Sequence, residues 1–98
     1  MAPIAVSFQV LPSGLADKAA TYAAVDAAIA VVAASGLSYR VSSMETTLEG
    51  EYDAVMAVIK AAQEAVVQAG AARVFTLIKV DYDPLGSSIE EKLAKYGG

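Results

Sequence analysis

The sequence predicts an α+β protein of the ferredoxin-like class, with two helices on one face of a four-stranded antiparallel sheet. Three observations support this fold. Two long helical patterns each end at a glycine, strand-like segments precede the first and follow the second, and a short polar hairpin lies between them. The resulting order, β-α-β-β-α-β, is that of the split βαβ arrangement.

The first and last strands are predicted from alternating side chains. In residues 4–11, one face carries larger apolar side chains and the other carries Ala5, Ser7 and Gln9, until Pro12 and Gly14 interrupt the pattern. Residues 73–81 are apolar on both faces, which is typical of a strand whose second face is covered by a partner.

Helices are predicted over residues 15–34 and 51–69, ending near Gly36 and Gly70. The first has an apolar stripe formed by Leu15, Tyr22, Val25, Ile29 and Val32. The second has a stripe formed by Tyr52, Val55, Met56, Ile59, Ala62 and Val66. A capping-box pattern at residues 88–91 predicts a short C-terminal helix that ends near residue 96.

The hairpin is the most polar part of an otherwise apolar chain. Its strands are predicted over residues 37–42 and 45–49, with the reversal near Ser43 and Met44. Polar side chains cluster within eleven positions: Tyr39, Ser42, Ser43, Glu45, Thr46, Thr47 and Glu49. This pattern fits either a ligand site or a half-solvated hairpin whose polar face meets water.

The composition of the chain limits the kinds of molecule that it is expected to bind. The 98 residues predict one domain, residues 1–98, and the 56% hydrophobic content with a mean hydropathy of +0.49 favours oligomerisation. The predicted assembly is a homo-dimer or homo-tetramer that forms through the open sheet face. The net charge of −4 and the absence of a basic cluster argue against nucleic acid and anionic membranes as partners.

The chain contains neither cysteine nor histidine. This excludes disulfides, thiol nucleophiles, the usual zinc sites and serine–histidine catalysis, and nothing in the sequence implies a metal or another cofactor. The N-terminus shows no signal-peptide pattern, and residues 27–34 form too short an apolar run to span a bilayer. We therefore expect a cytoplasmic protein.

Three segments resemble the thiamine-binding protein superfamily, the single-domain relatives of the two-domain YkoF proteins. They are Ser7 to Pro12, the hairpin with Tyr39, Met44, Thr46, Glu49 and Gly50, and the last strand with Arg73, Thr76, Ile78, Lys79 and Asp81. Residues 89–96 are similar to the tail helix of a subset that binds the hydroxymethylpyrimidine half of thiamine. The chain departs at Ser43, where many relatives have proline.

The resemblance implies a ferredoxin-like fold, assembly through open sheet faces, a small-molecule site near that interface and no catalysis. Thiamine's aminopyrimidine offers an amine donor and ring-nitrogen acceptors, and its thiazolium is a cation. A matching site needs a carboxylate, hydroxyl groups and an apolar or aromatic wall.

The first strand and the hairpin offer such groups. Glu45 or Glu49 is a candidate to accept from the amine, and Ser7, Thr46 and Thr47 are candidates to donate to the ring. Tyr39 is a candidate for stacking. The full set of predicted ligand-binding residues is Ser7, Gln9, Tyr39, Glu45, Thr46, Thr47, Glu49 and Thr76.

An enzyme is the weaker interpretation, and no catalytic residue is predicted. Glu45 and Glu49 lie about 13 Å apart on an extended strand, which is too far for a typical paired-carboxylate mechanism. The predicted function is non-catalytic binding of thiamine or its hydroxymethylpyrimidine moiety in salvage, delivery or sensing. The alternative is a structural or regulatory oligomerisation module that binds no small molecule.

Overall fold

The computed structural model describes residues 3–84, and the ferredoxin-like element order is confirmed there. The elements are β1 (Ile4–Ser13), α1 (Lys18–Ala34), β2 (Ser38–Val41), β3 (Thr46–Gly50), α2 (Tyr52–Gln68) and β4 (Arg73–Asp81). The predicted C-terminal helix lies outside the described residues.

The four strands form one antiparallel sheet in the order β2-β3-β1-β4. β1 is central, pairing with β3 along residues 4–8 and with β4 along residues 5–13. The register places Ser7 between Thr47 on one side and Lys79 on the other. Because side chains alternate along a strand, this register decides which candidate residues share a face.

The core lies between the sheet and the two helices. Alternate side chains of β1 are buried against Leu48 of β3 and against both helices. The larger fully buried side chains are Ile4, Val6, Val32, Leu48, Val55, Ile59 and Val66. The predicted stripe of α2 is confirmed, with Tyr52 and Met56 packed at its margin. Neither helix of residues 3–84 covers the opposite face of the sheet, which we call the open face.

The first helix differs from its prediction in two ways. It begins at Lys18 because Asp17 is its N-cap, whose carboxylate accepts a hydrogen bond of 2.8 Å from the amide of Ala20. Its buried residues are Ala24, Ala28 and Val32, so Tyr22 is not a core residue. Small side chains let α1 approach its neighbours closely, and the larger side chains lie on its flanks.

The first strand is also longer than predicted. Pro12 does not end β1, which pairs with β4 as far as Ser13. Beyond Phe8, no β3 residue within 3–84 pairs with β1, so a proline that lacks an amide donor is tolerated there. The amide of Ala72 donates to the Ser13 carbonyl at 2.9 Å, which closes this end of the sheet.

Neither helix described within residues 3–84 has the length and hydropathy required to cross a membrane.

Candidate functional site

The predicted ligand-binding residues fall on both faces of the sheet. Ser7, Gln9, Thr47 and Glu49 lie on the open face, since their neighbours along each strand point into the core. Tyr39, Thr46 and Thr76 lie on the helix-facing side, level with Leu48, Phe8 and Val10 respectively. The structure therefore does not bring all eight residues into one site.

Two polar contacts organise the open face. The hydroxyl groups of Ser7 and Thr47 are hydrogen-bonded to each other across β1 and β3 at 2.7 Å. Lys79 Nζ lies 2.9 Å from Glu45 Oε1, and the exposure of the lysine limits the contribution of this ion pair to stability. The Glu45 carboxylate, a candidate partner for the ligand amine, already has an intramolecular partner.

Next to these polar contacts, the open face carries a patch of large apolar side chains. We call Leu11, Phe75 and Leu77 the open-face patch; all three are exposed, and they lie on the adjacent strands β1 and β4. Ser7 and Gln9 share this face with Phe75 and Leu77. The face is thus polar at one end and apolar at the other.

A cleft opens on the other side of the sheet, between α1, β1 and the β2–β3 hairpin. Its volume is about 310 Å³, at the lower end of the range for small-molecule pockets. Its lining comprises Phe8, Gln9, Val10, Tyr22, Val25, Ala28, Ile29 and residues 41–46. Gln9, Glu45 and Thr46 are among the lining residues, but Gln9 lies on the open face and Glu45 pairs with Lys79 there, so Thr46 is the predicted residue whose side chain faces the cleft. A mostly apolar lining with a few polar groups is the usual composition of a ligand site.

Thr46 is the polar residue that best marks the cleft as a site. It is only 7% exposed, at the start of β3, with Phe8 and Val41 as its cross-strand neighbours. Its hydroxyl makes no hydrogen bond with any other residue in the described range 3–84. Since buried polar groups are almost always hydrogen-bonded, this hydroxyl is available to a molecule that enters the cleft.

Thr76 and Tyr39 have other surroundings. The Thr76 hydroxyl accepts a hydrogen bond of 2.6 Å from the Gln63 side chain, which joins β4 to α2. Tyr39 is exposed on the edge strand β2. Neither residue is part of the cleft lining.

Sequence reasoning misses most of the cleft lining, including two large and exposed side chains. The sequence pattern places Tyr22 in the core stripe of α1 and Met44 in a turn. Both line the cleft, and they are 58% and 70% exposed respectively. The sequence does contain one indication for Met44, since a large apolar side chain is unusual in a turn made of serines and a glutamate.

The site shows no arrangement for metal chemistry. Within the part of the chain that the structure describes, no group of three or more acidic, histidine or cysteine residues could hold a metal ion. The side chains of the cleft can supply apolar contact, an aromatic face and hydroxyl hydrogen bonds.

The sequence profile of a family described as "Thiamine-binding protein" matches residues 6–97. The chain belongs to the thiamine-binding protein family. A relative in this family, a UPF0045 protein of Clostridium perfringens, is 37% identical over 91 residues, which cover 93% of this chain and 94% of the relative.

Two solved structures are similar to this thiamine-binding family member. A Bacillus cereus domain of unknown function, DUF77, superposes with a TM-score of 0.91 at 47% identity, covering 97% of this chain and 90% of that one. A Thermotoga maritima protein named as a candidate thiamine biosynthesis or salvage protein gives a TM-score of 0.85 at 31% identity. That match covers 96% of this chain and 98% of the other.

Proposed function

We propose that this protein binds thiamine or its hydroxymethylpyrimidine moiety, without catalysis, in the cleft between α1 and the hairpin. The main support for the proposal is the buried Thr46 hydroxyl, which has no hydrogen-bond partner among residues 3–84 and lies in a mostly apolar cleft. Family membership and the name of the Thermotoga maritima relative support a thiamine-related ligand.

The chemistry of the pyrimidine ring fits these surroundings. A ring nitrogen can accept a hydrogen bond from the Thr46 hydroxyl, and the ring faces can contact the apolar side chains of α1 and β1. Ser42 and Ser43 of the hairpin add hydroxyl groups to the lining and are candidate partners for the exocyclic amine. One buried hydrogen bond would orient the ring while apolar contact supplies most of the affinity.

The charge of the cleft indicates which forms of thiamine are accepted. Glu45 is the charged residue among the described lining residues, and its carboxylate is paired with Lys79. Lys18 lies next to the lining, with its Nζ 5.5 Å from the centroid of the Tyr22 ring. The chain as a whole carries a net charge of −4, which favours a cationic thiazolium over a diphosphate.

Isothermal titration with thiamine, hydroxymethylpyrimidine and thiamine diphosphate tests this proposal. We expect binding heat for the first two ligands, with one site per chain, and at least about tenfold weaker binding of the diphosphate because the chain carries a net negative charge. Absence of heat with all three at high protein concentration would contradict ligand binding and favour the ligand-free oligomerisation module. The binding role we infer is sequestration, delivery or sensing in thiamine salvage in the cytoplasm.

We also propose that the protein assembles as a homo-dimer or homo-tetramer through the open sheet face. The open-face patch exposes three large apolar side chains on adjacent strands, a pattern typical of an interaction surface. β4 is moreover a nine-residue edge strand, whose outer edge a second chain can reach.

Light scattering at micromolar concentration checks the assembly. The expected mass is two or four times the chain mass of 10.0 kDa. Leu77→Lys should yield a monomer because it places a charge in the open-face patch, whereas Val67→Lys, at a similarly exposed position on α2, should leave the mass unchanged. A monomeric wild-type protein would refute assembly through this face.

A further inference from the structure

Two large side chains are exposed at the cleft. Tyr22 on α1 and Met44 in the hairpin turn both line the cleft, and they come from different walls. Isolated exposed apolar residues need no explanation, but two of them at one pocket suggest a contact surface for a ligand.

Tyr22 is held in position by its own helix. Lys18 lies one turn earlier, and its Nζ is 5.5 Å from the centroid of the tyrosine ring, which is within cation–π range. At an exposed site such a contact contributes about 0.5–1 kcal/mol, so it favours one position of the ring. A ring that already favours its bound position loses less conformational entropy when a second ring stacks on it.

Met44, in contrast, has a flexible side chain that can adapt to a ligand. The hairpin turn that carries it is closed by a hydrogen bond of 2.9 Å from the Ser42 amide to the Glu45 carbonyl. The backbone of the turn is thus fixed, while the thioether side chain can rotate and make polarisable contacts with an aromatic ring. A tyrosine ring with a favoured position and a methionine side chain that can rotate could together contact the two faces of a flat ligand.

We propose that Tyr22 and Met44 clamp a single flat aromatic ring whose nitrogen accepts a hydrogen bond from Thr46. This inference rests on the proposed function and specifies which side chains recognise the ligand. It assigns the pyrimidine half to the cleft, because the pyrimidine ring carries the nitrogen acceptors that the Thr46 hydroxyl can hydrogen-bond. The thiazolium half of thiamine would extend toward the mouth of the cleft.

The clamp is tested by titrating hydroxymethylpyrimidine into alanine variants of both residues. Tyr22→Ala and Met44→Ala should each raise the dissociation constant, the tyrosine variant by about tenfold, which is typical for loss of one stacking partner. Tyr22→Phe should bind within about threefold of wild type because the ring is kept and its hydroxyl is not required. Tyr82→Ala, which removes a tyrosine that is 63% exposed and not among the cleft lining residues, is the matched control and should bind as wild type does.

A direct readout follows from the three methionines of the chain. With ¹³C-methyl methionine, a saturating amount of hydroxymethylpyrimidine should shift the Met44 methyl resonance upfield because an aromatic ring lies against it. Met56, which packs against the core, should not shift and serves as the internal control.

The outcomes separate the clamp from the proposed function. If wild type binds the ligand but both alanine variants bind equally well and the Met44 methyl resonance does not move, the clamp is wrong and ligand binding stands. If wild type binds neither thiamine nor hydroxymethylpyrimidine, ligand binding is wrong and the clamp falls with it.

Discussion

Gly14→Ala is expected to lower the free energy of unfolding by about 2–4 kcal/mol, the sum of backbone strain and a steric clash. Gly14 has a φ of +80°, in the left-handed region that favours glycine. A Cβ placed there would lie 2.5 Å from the Cβ of Ala72 and 3.3 Å from its amide nitrogen. The same amide donates to the Ser13 carbonyl, so relief of the clash would disturb the closure of β1 on β4.

Gly36→Ala separates the two contributions. Gly36 has a φ of +81°, but a Cβ at this position would meet no atom within 4 Å. The expected loss is therefore the backbone term alone, about 1 kcal/mol. Urea denaturation of both variants measures the difference, and equal losses would show that the contact with Ala72 carries no penalty.

Thr46→Val is expected to weaken ligand binding without lowering the stability of the protein. Valine has nearly the shape of threonine but no hydroxyl. Because the free protein buries this hydroxyl without a partner among residues 3–84, its removal should leave the free energy of unfolding unchanged or raise it by about 1 kcal/mol. A residue retained at a cost to stability is typical of a functional site.

Binding should respond differently to the same substitution. In the Thr46→Val variant, a ligand nitrogen that lies against the valine side chain would be desolvated without a hydrogen bond, which typically costs about 1–3 kcal/mol. We therefore expect affinity for hydroxymethylpyrimidine to fall about 10- to 100-fold.

Strands and helices could be predicted correctly where the pattern of apolar residues in the sequence fits only one buried face. In residues 73–81, every second side chain from Val74 to Val80 is β-branched, and β4 spans that range. α2 lies within residues 51–69 because its stripe of large side chains is the face that it buries. In α1 the large residues recur at heptad spacing, but close packing of Ala24 and Ala28 determines the buried face. Periodicity alone cannot rank alanine above tyrosine as a core residue.

The candidate site was predictable in its segment but not in its geometry. The alternation of Leu48 and Glu49 along the strand indicates that Thr46, rather than Thr47, shares the core face. The neighbours of each threonine are not local: the pairing of Phe8 with Thr46 and of Ser7 with Thr47 depends on a strand nearly forty residues away. The contributions of Tyr22 and Met44 likewise depend on how α1 lies beside the hairpin, a tertiary relation that no local pattern carries.

The most direct test of the cleft as the ligand site is titration of hydroxymethylpyrimidine into wild type, Thr46→Val and Thr47→Val. Thr47→Val is the matched control, because it is the same substitution at the next residue, on the opposite face, where it removes the hydrogen bond to Ser7. Our account predicts loss of affinity with Thr46→Val and unchanged affinity with Thr47→Val. Unchanged affinity with Thr46→Val together with loss on Thr47→Val would contradict the account and place the ligand on the open face of the sheet.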